Sequence, residues 1–150
     1  MKIAVGCDHA GVELKREIVS LLKKAGAEAL DFGTDDETSV DYPDFAAKVS
    51  AVVSKGEVAR GVLICGTGLG MCITANKFKN VRAALCHDVY TARMSRLHND
   101  ANILVMGGRV IGKGLAAEIL DVWLNTAYEG GRHDGRLKKI SDIEESNENR

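Results

Sequence analysis

The sequence predicts a single α/β domain, an αβα sandwich of Rossmann-like or flavodoxin-like type on a five-stranded parallel sheet. Three observations predict it. Apolar runs of strand length recur five times, several of them are continuous rather than alternating, and segments of helical period lie between them. Continuous runs suit strands covered on both faces, and parallel neighbours require crossover helices. A chain of 150 residues that is 45% hydrophobic can bury one core without disulfides or metals.

Taken in order, Ile3–Val5 predicts the first strand, and Leu14, Ile18, Leu21, Leu22 and Ala25 repeat at i, i+3, i+4, i+7 as the first helix. Ala27–Leu30 gives the second strand, and Phe45, Val49, Val52 and Val53 give the second helix. Val62–Cys65 is the third strand, followed by a partly periodic helix over Gly70–Phe78. Val81–Cys86 and Asp88–Leu97 supply the fourth strand and helix. Ile103–Met106 is the fifth strand, and Leu115, Ile119, Val122 and Trp123 mark the last helix. Sixteen glycines beside one proline, Pro43, point to tight turns and close backbone approaches. Residues 141–150, SDIEESNENR, read as a frayed polar tail of the one domain spanning 1–150.

Twenty Lys+Arg against twenty-one Asp+Glu leave a formal charge of −1. That is no electrostatic footprint for nucleic acid or an anionic membrane, so a small ligand is the expected partner. The N-terminus turns polar after Val5, and no apolar run approaches the roughly 18 residues that span a bilayer. The cytoplasm is the expected location. Cys7, Cys65, Cys72 and Cys86 form no CxxC pair and read as free thiols.

In a doubly wound sheet, ligands bind beyond the carboxyl ends of the strands. There the chain places Cys7-Asp8-His9, the turn Cys65-Gly66-Thr67-Gly68-Leu69-Gly70, Cys86-His87-Asp88 and Gly107-Gly108-Arg109. The three glycines around Thr67 and Leu69 let backbone N–H groups approach an oxyanion, or simply make a tight turn; they match neither nucleotide-binding glycine motif. Cys65, just before them, reads as a nucleophile or base, or as a small core residue. Asp8 and His9 suit proton handling and hydroxyl binding, with helix capping by Asp8 as the plainer alternative; His87-Asp88 admits the same capping account. Cys7, Cys72 and Cys86 have no mechanism beside them.

Arg132 and Arg136, set among glycines in Gly130–Arg136, suit phosphate capture, or they belong to a solvated tail. His98-Asn99 follows a helix and precedes a strand, which puts it at the amino edge of the sheet, roughly 15 Å from the crevice. It is therefore a helix cap or a contribution to a neighbouring subunit's site. The arginine tail poses the same choice.

Together, GCDHAG at 6–11, DYPDFA at 41–46, ICGTGLGM at 64–71, RLHNDAN at 96–102, GGRVIG at 107–112 and GGRHDGR at 130–136 closely resemble the ribose-5-phosphate isomerase B family. The likeness runs in order, at family-like spacing, to about Ser141. It implies a cytoplasmic pentose-phosphate enzyme that interconverts D-ribose 5-phosphate and D-ribulose 5-phosphate through a cis-enediolate, without metal or organic cofactor. It also implies a Rossmann-like subunit in homodimers or tetramers with shared sites.

Carried over by residue, the family's general base matches Cys65; members with Ser there use a Glu from the position that here holds Met71, so the likeness is to the cysteine branch. Gly66, Thr67, Gly68, Leu69 and Gly70 match the loop that holds the enediolate oxygens, Thr67 adding a hydroxyl. His98 matches the acid that opens the furanose ring, Asn99 a sugar contact and Asp8 a hydroxyl-binding residue counted with the catalytic groups. His9, Arg109, Arg132 and Arg136 match sugar and phosphate positions, and Tyr42 with Pro43 the pocket-lining loop. His98 and the two tail arginines would then be supplied by a partner subunit. Rival readings are an isomerase of a hexose 6-phosphate such as allose or galactose 6-phosphate, a phosphate- or nucleotide-binding regulatory module, and a thiol redox sensor with Cys72 as resolving partner.

Overall fold

The computed structural model describes all 150 residues. In chain order they form β1 (Lys2–Cys7), a 3₁₀ turn (His9–Gly11), α1 (Val12–Lys24), β2 (Glu28–Asp31), α2 (Tyr42–Ser54) and β3 (Arg60–Cys65). There follow α3 (Leu69–Ala75), β4 (Ala83–Leu85), α4 (Val89–Leu97), β5 (Ile103–Gly107), α5 (Lys113–Asn125) and α6 (Arg132–Glu148). The five strands make one parallel sheet in the order β2-β1-β3-β5-β4. The chain leaves β1 in one direction to β2 and returns on its other side as β3, which opens a crevice at the carboxyl ends of β1 and β3.

Alternation along each strand sorts the core into two layers. Ile3, Val5, Val62, Ile64, Leu104 and Met106 pack with Ile18 and Leu22 of α1, Ala92 of α4 and Ile119 and Trp123 of α5. Ala4, Leu63, Cys65, Ile103 and Val105 face Ala46, Val49 and Val53 of α2 and Met71 and Ala75 of α3. Trp123 is fully buried, with the Arg60 and Arg96 guanidinium carbons 5.3 and 5.8 Å from its ring. Trp123→Ala is therefore expected to destabilise the protein by about 3–5 kcal/mol, the usual cost of an aromatic core truncation. Urea denaturation followed by far-ultraviolet circular dichroism measures this, and a loss below about 1 kcal/mol would mean that the layer repacks.

Four features differ from the sequence expectation, three of them small. The fourth strand is short, Ala83–Leu85 rather than Val81–Cys86, and the preceding helix ends at Ala75 rather than Phe78. Asn76 accounts for both. It ends α3, and its side-chain amide then pairs with the free edge of β4, accepting from Ala83 N at 2.9 Å and donating to Ala83 O at 3.0 Å. Leu115 stays 37% exposed, because the buried stripe of α5 runs through Ala116, Ile119, Leu120 and Trp123.

The arginine segment and polar tail need the largest correction: they are one 17-residue helix, α6. Ionic contacts hold it, not an apolar stripe. Lys138 pairs with Asp142 at 2.6 Å one turn away, Glu144 accepts from Asn80 N at 3.0 Å, and Glu148 meets Lys79 at 2.8 Å. No helix of the protein is long and apolar enough to cross a membrane.

Candidate active site

The third strand delivers Cys65 beside Gly107, its register partner on β5. Gly108 N donates to Cys65 O at 2.8 Å and Arg109 N to Gly66 O at 3.0 Å, so the ends of β3 and β5 are tied together. Glycine is required for that closeness, because a Cβ on Gly107 would lie 2.7 Å from Thr67 O. The turn then passes through Gly68 at φ +81°, a left-handed conformation that side chains disfavour. This conformation points Gly68 N–H at the sulfur, donating to Cys65 Sγ at 3.1 Å. Thr67 Oγ1 accepts from Leu69 N at 3.2 Å and is otherwise exposed.

Other elements converge on this turn. The Tyr42 ring, in the first turn of α2, occupies the space where a Gly70 side chain would stand. The Arg109 side chain runs 3.5 Å from the Cβ position of Gly66. Asp8, 6% exposed, accepts from Ala10 N at 2.9 Å through Oδ1 and so caps the 3₁₀ turn, as the plainer reading holds. His9 Nδ1 accepts from Val40 N at 3.2 Å, which leaves the ring proton on Nε2. A cavity of about 290 Å³ opens between His9, Ala10, Glu13, Glu37 and Arg109. Buried Lys15 fixes the loop leading to Val40, bonding Asp31 at 2.9 Å and Asp35 and Thr34 O at 2.8 Å.

Cys65 itself is only 4% exposed, more enclosed than a residue at the mouth of a crevice. One side of its sulfur meets the α2–α3 core and the other meets the Gly68 amide. The remaining thiols lie elsewhere: Cys7 Sγ donates to Thr34 O and Cys72 Sγ to Ala83 O, each at 3.5 Å, and neither receives a backbone N–H from a glycine turn. Burial pushes Cys7 up to about 11, and burial likewise raises Cys72 and Cys86. They stay with the structural reading.

His87, which sequence reasoning left without a task, has one here, and the capping account of Asp88 holds. His87 Nε2 accepts from Gly107 N at 3.1 Å and so braces the strand end opposite Cys65. Asp88 caps α4, accepting from Thr91 N at 2.7 Å. The other candidates gather elsewhere. His98 ends α4, and its ring stacks on His133 with centroids 4.3 Å apart and planes 21° apart. Glu129 Oε2 lies 3.2 Å from His133 Nε2 and 3.8 Å from His98 Nε2.

Asn99 is exposed, its carbonyl accepting from Arg82 Nε at 2.9 Å, and Arg132 and Arg136 are exposed on the first turns of α6. This group sits where β5 begins and Cys65 where β3 ends, roughly 16 Å apart along a five-residue strand. Within one chain, His98, Asn99, Arg132 and Arg136 therefore do not join Cys65. His98, Glu129 and His133 offer metal-type donor atoms within 4.8 Å of one another, but the imidazoles stack face to face instead of converging on a point.

A doubly wound domain that holds a thiol against a main-chain amide at one strand end, with a cavity lined by imidazole, carboxylate and guanidinium groups at the neighbouring strand ends, suits an enzyme of small polar metabolites. The family model described as Ribose/Galactose Isomerase matches residues 3–140, and the chain belongs to that family. It is 51% identical over 144 residues to ribose-5-phosphate isomerase B of Escherichia coli, covering 96% of this chain and 97% of that protein. It is 41% identical over 146 residues to a D-erythrulose-4-phosphate isomerase of Pectobacterium atrosepticum, covering 96% and 95%. Among solved structures, a ribose-5-phosphate isomerase B of Clostridium thermocellum superposes with a TM-score of 0.95 at 56% identity, over 97% of this chain and 99% of that one. The family resemblance carried by the sequence blocks holds, and the protein is an isomerase.

Proposed function

We propose that the protein interconverts D-ribose 5-phosphate and D-ribulose 5-phosphate, with Cys65 as the base, in a site that a second copy of the chain completes. The observation that carries this reading is the Gly68 N–H aimed at Cys65 Sγ from 3.1 Å. A charged sulfur uses such a donor better than a neutral one does.

The chemistry runs in three steps. His98 of one protomer opens the furanose so that C1 becomes an aldehyde. The Cys65 thiolate of the other protomer takes the C2 proton, and the electron pair moves through C1 onto O1 to give a cis-enediolate. Backbone N–H groups of Gly66–Gly70 and the Thr67 hydroxyl receive that developing charge. The Cys65 S–H then returns the proton to C1, while the proton of O2 passes to O1 and C2 becomes the carbonyl. No electrons enter or leave. Asp8 and Asn99 hold hydroxyls, Tyr42 lines the pocket, and His9, Arg109, Arg132 and Arg136 hold the sugar and its phosphate, with arginine forks suited to a dianion.

A second reading concerns chain length, because a relative 41% identical carries the name of a tetrulose-phosphate isomerase. Comparison of kcat/KM for ribose 5-phosphate, erythrose 4-phosphate and allose or galactose 6-phosphate, with a chelator present throughout, tests both readings. Ribose 5-phosphate is expected to lead by at least about tenfold, since a missing or extra carbon misplaces base against phosphate clamp. A lead for the tetrose or a hexose would transfer the assignment to that sugar, and loss of turnover with chelator would contradict a metal-independent mechanism.

A further inference from the structure

We propose that Glu129 is a positioning residue for ring opening, its carboxylate and the buried His133 ring together fixing the imidazole of His98. The inference rests on the reading of His98 as the ring-opening acid and adds to it the groups that hold that acid in place.

The placement is built and does not depend on a loose surface pair. Glu129 N donates to Leu97 O at 3.0 Å, which clamps its backbone to the residue before His98. Gly130 and Gly131, at φ +70° and +60°, turn the chain sharply there. The turn is closed by Tyr128 Oη donating to Asp134 Oδ1 at 2.7 Å. It brings Glu129 Oε2 to 3.2 Å from Nε2 of His133, which is 3% exposed. The same oxygen lies 3.8 Å from His98 Nε2, while the His133 ring covers one face of His98 at 4.3 Å. One face of His98 is thus covered from inside the chain and its Nε2 edge looks toward the Glu129 carboxylate without a hydrogen bond to it, while Nδ1 has no intramolecular partner. A base or acid oriented by a third group is the usual way to spare an active imidazole its rotational freedom.

During opening, the imidazolium form of His98 gives its Nδ1–H proton to the ring oxygen and becomes neutral imidazole, and the C1–O4 electron pair stays on that oxygen as the C4 hydroxyl forms. The proton of the anomeric hydroxyl leaves to water as C1=O forms, and His98 recovers its proton from solvent.

Cys65→Ala isolates this step, because it can open the ring but cannot isomerise. The exchange rate between the α and β anomers of ribose 5-phosphate, carbon-13-labelled at C1, is read by magnetisation-transfer NMR. Cys65→Ala is expected to accelerate that exchange, and His98→Asn in the same background to remove the acceleration. Glu129→Gln, which keeps shape and removes the carboxylate charge 3.8 Å from His98 and held by His133, is expected to reduce it several-fold, with Glu129→Asp restoring part of it. If Glu129→Gln matches its parent while His98→Asn does not, Glu129 has no positioning role and the isomerase reading stands. If Cys65→Ala gives no acceleration, or His98→Asn leaves it intact, the ring-opening role of His98 falls and this inference with it.

Discussion

Cys65→Ala is expected to lower kcat for ribose 5-phosphate by about three orders of magnitude while KM stays within a few-fold, the pattern of a lost proton-transfer group. The sulfur accepts a backbone N–H from the glycine turn, Gly68 N at 3.1 Å. The groups proposed to bind the phosphate, Arg109, Arg132 and Arg136, do not touch it and should keep substrate affinity. Cys65→Ser should be nearly as inactive. A serine needs a carboxylate to take its proton, and Met71, which the family resemblance sets in the place of such a carboxylate, offers none and is fully buried in the α2–α3 core. A loss below about tenfold for Cys65→Ala in steady-state assays would remove the cysteine from the chemistry.

The second large effect concerns subunits. Homo-oligomers of Cys65→Ala and of His98→Ala should both be inactive, yet mixing them should restore activity. In a mixed dimer, one of the two sites draws its cysteine from one chain and its histidine from the other, and is wild type. With random exchange, half of the dimers are mixed and each carries one intact site, so about one quarter of wild-type activity is expected for a symmetric pair. The reason is geometric: His98 and Cys65 lie at opposite ends of the sheet, about 16 Å apart, further than one five-carbon sugar phosphate can bridge. Absence of any recovery, after native mass spectrometry has shown mixed oligomers, would contradict a shared site.

Particular residues show how much the sequence reveals. Val62–Cys65 and Ile103–Met106 announce buried parallel strands because burial on both faces leaves no polar alternation. Trp123 and Ile119 mark α5 by period. The interleaving of β5 between β3 and β4 has no local signal, since any crossover of sufficient length could reach either side. The polar sequence from Arg132 onward carries no apolar stripe, and its helix is anchored by Glu144 and Glu148 on Asn80 and Lys79, partners that only the folded chain brings near. Within the candidate site, the position of the turn Cys65–Gly70 at a strand end is legible, but its chemistry is not, because a buried thiol and a tight glycine turn suit a core as well as a site; the family blocks decide between the two. Glu129 and His87 are not legible. Glu129 precedes a glycine pair like any surface acid, and only the turn toward Leu97 aims it at His98. His87 acquires its bond from Gly107 across β4 and β5.

The most direct measurement concerns hydrogen at C2. Ribose 5-phosphate is incubated in deuterium oxide with wild-type protein or with Cys65→Ala, and deuterium at C2 of recovered ribose 5-phosphate and at C1 of ribulose 5-phosphate is read by NMR and mass spectrometry. Wild-type protein is expected to introduce deuterium and Cys65→Ala to introduce none above the buffer rate. Exchange by Cys65→Ala at a rate near that of wild type would contradict a cysteine thiolate as the group that moves the proton.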